Sequence, residues 1–195
     1  MVAIDLEAIQ APGMAKAGGH CAIVSEVNGE MKVLLDVFVL PRLYEGDSLP
    51  FVLSRCSARN KRLTKQHGMP FDDAVKRIKE ILQHSIVVGH NVDQDLDALE
   101  ITRSVPCCVY DIARCTALPR LAGLPVQAGE KPPLKGLALL NREIQKGKHH
   151  PDEDAFASLQ LYLRYKHLFE EAKALPRGKG ALDISFSPFF PLFFI

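Results

Sequence analysis

With 195 residues, 47% apolar and 24% charged, the chain has the length for a full hydrophobic core and the balance of an ordinary globular domain, which argues against intrinsic disorder. A net charge of +1 excludes a uniformly basic nucleic-acid binder, so attraction to phosphate must come from local patches. Five cysteines (Cys21, Cys56, Cys107, Cys108, Cys115) form no CxxC pair, which points to free thiols in a reducing compartment; no run of about 18 apolar residues crosses a membrane, and the strand-like start reads as lacking a signal peptide.

The first element, Val2-Ala3-Ile4-Asp5-Leu6-Glu7, is a short apolar strand interrupted by two acids. A side-chain period of two puts Asp5 and Glu7 on one face, where they repel each other and resist desolvation. No basic residue lies near in sequence, Lys16 being the first. Either one acid sits at an exposed strand end, or the pair holds a divalent cation through hard oxygen ligands. A Gly/Ala/Pro-containing loop over 11–19 leads to two further strands, Cys21 to Val24 and Met31 to Leu40. Asn28-Gly29 between them is a strong hairpin signal. The sheet therefore starts antiparallel.

Five basic residues, Arg55, Arg59, Lys61, Arg62 and Lys65, follow with no acid among them. They suit a solvated face or a phosphate-contacting patch. Phe71, Val75, Ile78 and Leu82 recur at helical spacing behind Asp72 and Asp73. Ser85 to Gly89 is a short buried strand, expected parallel to its sheet neighbour because a helix precedes it.

Gly89-His90-Asn91 turns the chain into a second helix, expected over about Val92 to Ile101. Val92, Leu96 and Leu99 define its apolar stripe. Asp95 lies about 65° from the centre of that stripe, Asp93 about 90° and Asp97 about 130°. Asp95 is thus the acid nearest the interior, and Asp93 and Asp97 read as solvated. Cys107 to Tyr110 is a fifth strand, with Asp111 opening a helical turn, and 117–133 reads as a long Pro/Gly-rich loop.

Leu134 to Ile144 reads as a helix. The last helix starts at His149-His150-Pro151-Asp152-Glu153-Asp154, with Pro151 at its first position and His150 as its N-cap. Its stripe runs through Ala155, Leu159, Tyr162 and Phe169. Asp152 and Glu153 serve the helix dipole, whereas Asp154 shares the apolar face. Composition ends the domain near residue 175, leaving an aromatic, proline-broken tail over 176–195 that is too short to cross a bilayer.

In order along the chain, "VAIDLE", "VVGHNVDQDLDAL" and "HHPDEDAFASLQLY" resemble the motifs of the DEDD family of 3′–5′ exonucleases, in the subgroup with a histidine in H-x4-D. "VNGEMKVLLDVFVLP", "VYDIARCTALPRL" and "PPLKGLALLNREIQKGKHHPDEDA" narrow the resemblance to the RNA exonuclease 4 and interferon-stimulated exonuclease branch, over roughly residues 2–170.

The resemblance implies an α/β, RNase H-like fold: a five-stranded mixed sheet in the order 3-2-1-4-5, flanked by helices, over residues 1–175. It implies that Asp5, Glu7, Asp95 and Asp154 hold two divalent cations, Mg²⁺ or Mn²⁺, and that His149 is the general base. It also puts Ala8, Ile9, His90 and Asn91 against the substrate, a 3′ end of single-stranded RNA with release of nucleoside 5′-monophosphates, and suggests a nuclear or nucleolar location, with the cytoplasm as the alternative; the absence of a spanning apolar run argues for no membrane partner. Two positions depart from the branch: Ala8 stands where a methionine is usual, and Pro133 where a serine or threonine is. Both bear on substrate grip rather than on the metals. A DNA-directed exonuclease of the same fold and a non-cleaving nucleic-acid-binding module are the competing readings.

Overall fold

A computed structural model describes residues 1–8, 18–42, 67–124, 134 and 150–174. Its strands are β1 (Val2–Ala8), β2 (Gly19–Val27), β3 (Glu30–Val39), β4 (Gly68–Met69), β5 (Ile86–Gly89) and β6 (Cys108–Asp111). Its helices are α1 (Phe71–Leu82), α2 (Val92–Ala98), α3 (Ala117–Leu121), α4 (Pro151–Arg164) and α5 (Lys166–Ala174), with a 3₁₀ turn at Ile112–Arg114. Among the described residues the sheet runs β4-β3-β2-β1-β5-β6. β1, β2 and β3 pair antiparallel, whereas β1–β5, β5–β6 and β3–β4 are parallel.

The expected strand order is present, with one addition. β4 makes a sixth strand where five were expected, as a two-residue parallel contact with Phe38 and Val39. Two residues carry no periodicity from which a strand is read. The Asn28-Gly29 hairpin forms as expected, with φ of 54° and 81° at its two positions. Both lie in the left-handed region that the tight β2–β3 connection requires.

The strand period sorts the two faces. Val2, Ile4 and Leu6 of β1 join Cys21, Ile23 and the apolar stripes of α1 and α2 in one core layer. Ala3 joins Val24, Val88 and the apolar residues of α4 in the other. Phe71, Ala74, Val75, Ile78 and Leu82 of α1 are buried, as their spacing demands. Arg42 ties the exit of β3 to this layer, pairing with Asp72 and, at 2.7 Å, with Glu100, with its guanidinium 4.8 Å from the Phe71 ring centre.

Three helical expectations need correction. α2 stops at Ala98 rather than Ile101, because Glu100 turns left-handed at φ 54°. The stretch after residue 117 is not all loop: Leu118 and Pro119 are buried in the short helix α3. The last helix breaks at Tyr165 into α4 and α5. The break lets Phe169 return to the aromatic cluster of Tyr110 and Tyr162, at centroid distances of 6.0 and 5.3 Å. The expected helix over 134–144 lies outside the described residues except for buried Leu134, and so do Cys56, the basic run from Arg55 to Lys65 and the tail.

At Gly19 β2 leaves no room for a side chain against β1. A Cβ placed there would lie 2.6 Å from the Glu7 carbonyl oxygen and 3.0 Å from Leu6 Cδ1. Backbone atoms cannot swing aside. Gly19→Ala is expected to lower unfolding stability by about 1–3 kcal/mol through overpacking. Gly29→Ala, where space is open but φ is 81°, should cost about 1–2 kcal/mol from left-handed strain. Denaturant titration of the two variants checks both values.

Candidate metal centre

Alternation along β1 brings Asp5 and Glu7 to the same face, both half-buried, while Leu6 between them points into the opposite core. α4 crosses this face against β1 and β2. It starts at Pro151 behind an extended His150, with φ −121° and ψ 124°, as its sequence requires. Asp152 and Glu153 face outward to solvent more than Asp154, which is buried at 4% exposure with the small residues Ala155, Ala157 and Ser158 around it. Those small side chains let the helix lie close to the strand. Asp5, Glu7 and Asp154 each offer one carboxylate oxygen, and the three lie within 4.8 Å of one another.

Asp95 approaches from the other layer. α2 anchors Val92, Leu96 and Leu99 in the core with α1, and its acid reaches over the end of β1. Its carboxylate accepts a hydrogen bond from the Leu6 amide, and its Oδ2 is buried without a hydrogen-bond partner among the described residues. Burial, then the charges of Asp5, Asp111 and Glu7, push Asp95 up to about 9. Asp5 is also raised, by burial first and then by Asp154 and Glu7. Three oxygens within chelating distance, a buried orphan oxygen and mutually repelling carboxyls fit a divalent cation, which takes oxygen ligands and cancels their charge.

The structure thus brings Asp5, Glu7 and Asp154 into one cluster and couples Asp95 to it electrostatically. His90 and Asn91 stand half-buried at the C-terminal end of β5, and Ala8 is exposed at the end of β1. His149 and Ile9 lie outside the described residues. Asp97 is exposed, as expected. Asp93 is a correction: instead of standing solvated, it pairs with Arg103 at 2.5 Å and with Arg114. Those partners come from the chain beyond α2, which the helical angle alone does not place.

Two groups at the site have no counterpart among the expected site residues. Asp111 ends β6, registered beside Gly89 in the parallel pair, and its carboxyl accepts hydrogen bonds from the Asn91 and Ala113 amides. An acid at the C-terminal end of a parallel strand, where open α/β sheets gather their site residues, is the signal that finds it. His20, registered opposite Glu7, bonds Asp36 through Nε2 and stacks on Phe38 at 4.1 Å. That contact depends on the β2–β3 register and has no local signature.

The raised acids set a pH dependence for the metal-free protein. Carboxyls whose folded pKa lies above the unfolded value of about 3.9 stabilise the fold fully below that value and lose the contribution as pH rises toward the folded one. Thermal stability without metal is therefore expected to decline between about pH 4 and about pH 9 from Asp95, with Asp5 adding to the decline. Melting curves across this range check the slope, and Asp95→Asn should flatten it.

No protein-family model matches the chain. RNA exonuclease 4 of Candida glabrata is 33% identical over 181 residues, covering 87% of this chain and 61% of that protein. The Homo sapiens interferon-stimulated 20 kDa exonuclease-like 2 is 34% identical over 180 residues, covering 88% and 47%. The chain spans about half the length of the curated relatives it matches. Among solved structures, the Saccharomyces cerevisiae Pan2 pseudoubiquitin hydrolase-RNA exonuclease module in complex with AAGGAA RNA matches at a TM-score of 0.59 and 24% identity, over 88% of this chain and 29% of that one. The Neurospora crassa Pan2 catalytic unit matches at 0.56 and 21%, over 88% and 27%. By sequence the chain is similar to RNA exonuclease 4 and the interferon-stimulated exonuclease-like proteins, and it shares its α/β fold, a mixed sheet flanked by helices, with the Pan2 structures.

Proposed function

We propose that the chain is a metal-dependent 3′–5′ exoribonuclease that removes nucleoside 5′-monophosphates from the 3′ end of single-stranded RNA. The observation that carries this reading is the convergence of Asp5, Glu7 and Asp154, with Asp95 behind them, in a fold shared with exonuclease modules. Asp5, Glu7, Asp95 and Asp154 hold two divalent cations, Mg²⁺ or Mn²⁺. Such ions, when bound, supply Lewis-acid polarisation and charge neutralisation for in-line displacement at phosphorus.

His149 takes a proton from the attacking water, whose oxygen bonds to phosphorus while the bond to the 3′ oxygen of the penultimate nucleotide breaks. That oxygen leaves as the new 3′ hydroxyl once protonated. His90 and Asn91 at the end of β5, with Ala8 at the end of β1 and Ile9 next to it in sequence, contact the terminal nucleotide. The exonuclease domain covers residues 1–175. A reducing, intracellular site of action accords with the four free cysteines among the described residues, and the nucleus or nucleolus is the location that the sequence resemblance suggests. No helix among the described residues is long and apolar enough to cross a membrane.

End-labelled RNA and DNA strands, incubated with Mg²⁺ and with EDTA, test this reading. RNA should shorten stepwise from its 3′ end with Mg²⁺ alone, and faster than DNA; cleavage of a circular RNA would contradict it. Asp5→Asn, Asp154→Asn and Asp95→Asn should each abolish or severely reduce cleavage with the fold retained, whereas Asp97→Asn should change the rate little.

His149 and His150 make distinct contributions. His150 occupies the N-cap of α4, so the turn sets its direction. His149→Ala is expected to lower turnover by about 10²–10⁴-fold, the range for loss of a general base, and to remove the acid limb of the pH–rate profile. His150→Ala should cost much less, and RNA binding should survive in both. Single-turnover rates against pH separate the two.

A further inference from the structure

α2 begins on a residue whose backbone is not helical. Asn91, its N-cap, is left-handed at φ 63° and makes no side-chain cap hydrogen bond. Asn enters this region more readily than most non-glycine residues, and here a neighbouring strand also holds it there. The restraint comes from β6. Asp111 Oδ1 accepts from the Asn91 amide at 2.7 Å and from the Ala113 amide at 3.0 Å. Its Oδ2 lies 3.3 Å from Arg114 Nε, and Arg114 reaches on to Asp93 two residues into the same turn. The Asp111 side chain is only 2% exposed.

A buried carboxylate that spends one oxygen on two backbone amides is costly to desolvate, and a neutral side chain would fill the volume at less expense. What its position supplies is alignment. Asp95 stands one helical turn beyond Asn91 on the same face of α2, so the direction of the first turn sets where its carboxyl points. Asp95 reaches the cluster from the layer opposite α4, and α2 is only seven residues long. A helix of that length has little stiffness of its own and takes its direction from what grips its ends. Val92, Leu96 and Leu99 hold its inner face in the core, and Asp111 grips the backbone at its first residue.

The geometry points to Asp111 as a positioning residue of the metal centre, which clamps the left-handed Asn91 amide and thereby aims Asp95 at the cations held with Asp5. This rests on the proposed metal centre. Partners that orient ligands in this way typically change metal affinity or activity by about 10–100-fold when removed.

Mn²⁺ binding to the full chain, followed by electron paramagnetic resonance or calorimetry, tests the assignment in the parent, D5N, D111A, D111E and D111N. Asp111→Ala removes the clamp, and Asp111→Glu keeps the charge while displacing the oxygens by a methylene. Both should weaken Mn²⁺ binding by about 10–100-fold and lower kcat in step, with the KM for RNA close to the parent's. Asp111→Asn keeps Oδ1 for the two amides and should bind Mn²⁺ nearly as the parent does. Parent-like affinity in D111A and D111E, even with a lowered Tm, would overturn the assignment and leave Asp111 a fold residue. Equal loss in D111N and D111A would overturn it too, because charge rather than the amide clamp would then matter. Should D111A not fold, the contrast between D111E and D111N decides alone. A parent that binds no Mn²⁺, indistinguishable from D5N, would instead refute the metal centre itself and the assignment with it.

Discussion

Asp5 sits on β1, the strand at the middle of the antiparallel-to-parallel switch in the sheet, with Glu7, Asp154 and Asp95 pressing on it from three elements. Carboxylates so crowded and so removed from water repel one another and favour their protonated forms, which is why Asp5 and Asp95 are both raised. A fold selected for stability alone would replace such a group with apolar residues at little cost. The crowding becomes favourable only when a concentrated positive charge sits among the oxygens.

The rest of the architecture can be understood as the means of holding this repulsion in place. β1 is gripped by β2 on one side and β5 on the other, so Asp5 and Glu7 cannot retreat along the strand. α4 brings Asp154 on a helix whose buried face is lined with Ala155, Ala157 and Ser158, close enough for its carboxyl to meet the strand. α2 brings Asp95 from the opposite layer. The four acids therefore rest on three elements, each held by its own apolar contacts. The C-terminal ends of β1, β5 and β6 meet at the same edge, the place where open α/β sheets collect their binding groups.

Much of this was legible because local signals and tertiary outcome agree. Alternation at Asp5 and Glu7, the Asn28-Gly29 turn, the stripe through Phe71, Val75, Ile78 and Leu82, and Pro151 at a helix start each act within a few residues. The direction of Asp95 also followed from helical geometry, since Val92, Leu96 and Leu99 fix which side of α2 is inside. What escaped depends on partners distant in sequence. Asp93 was read as solvated because its two arginines lie ten and twenty-one residues on. The α4–α5 break at Tyr165 answers to the packing of Phe169 on Tyr110 and Tyr162, not to any local breaker. Asp111 carried the signature of a turn opener, which it is, and its second bond to Asn91 appears only when β6 lies beside β5.

The central claim is that cations, not protons or basic side chains, neutralise the acids. Crystals of the full chain soaked in Mn²⁺, measured with anomalous scattering at the manganese edge, test it most directly. The account predicts strong anomalous peaks within bonding distance, about 2.0–2.6 Å, of carboxylate oxygens of Asp5, Glu7 and Asp154, with Asp95 facing the same ions. An anomalous map with no peak among these acids, while Mn²⁺ is present in excess at a pH where they are ionised, would contradict it.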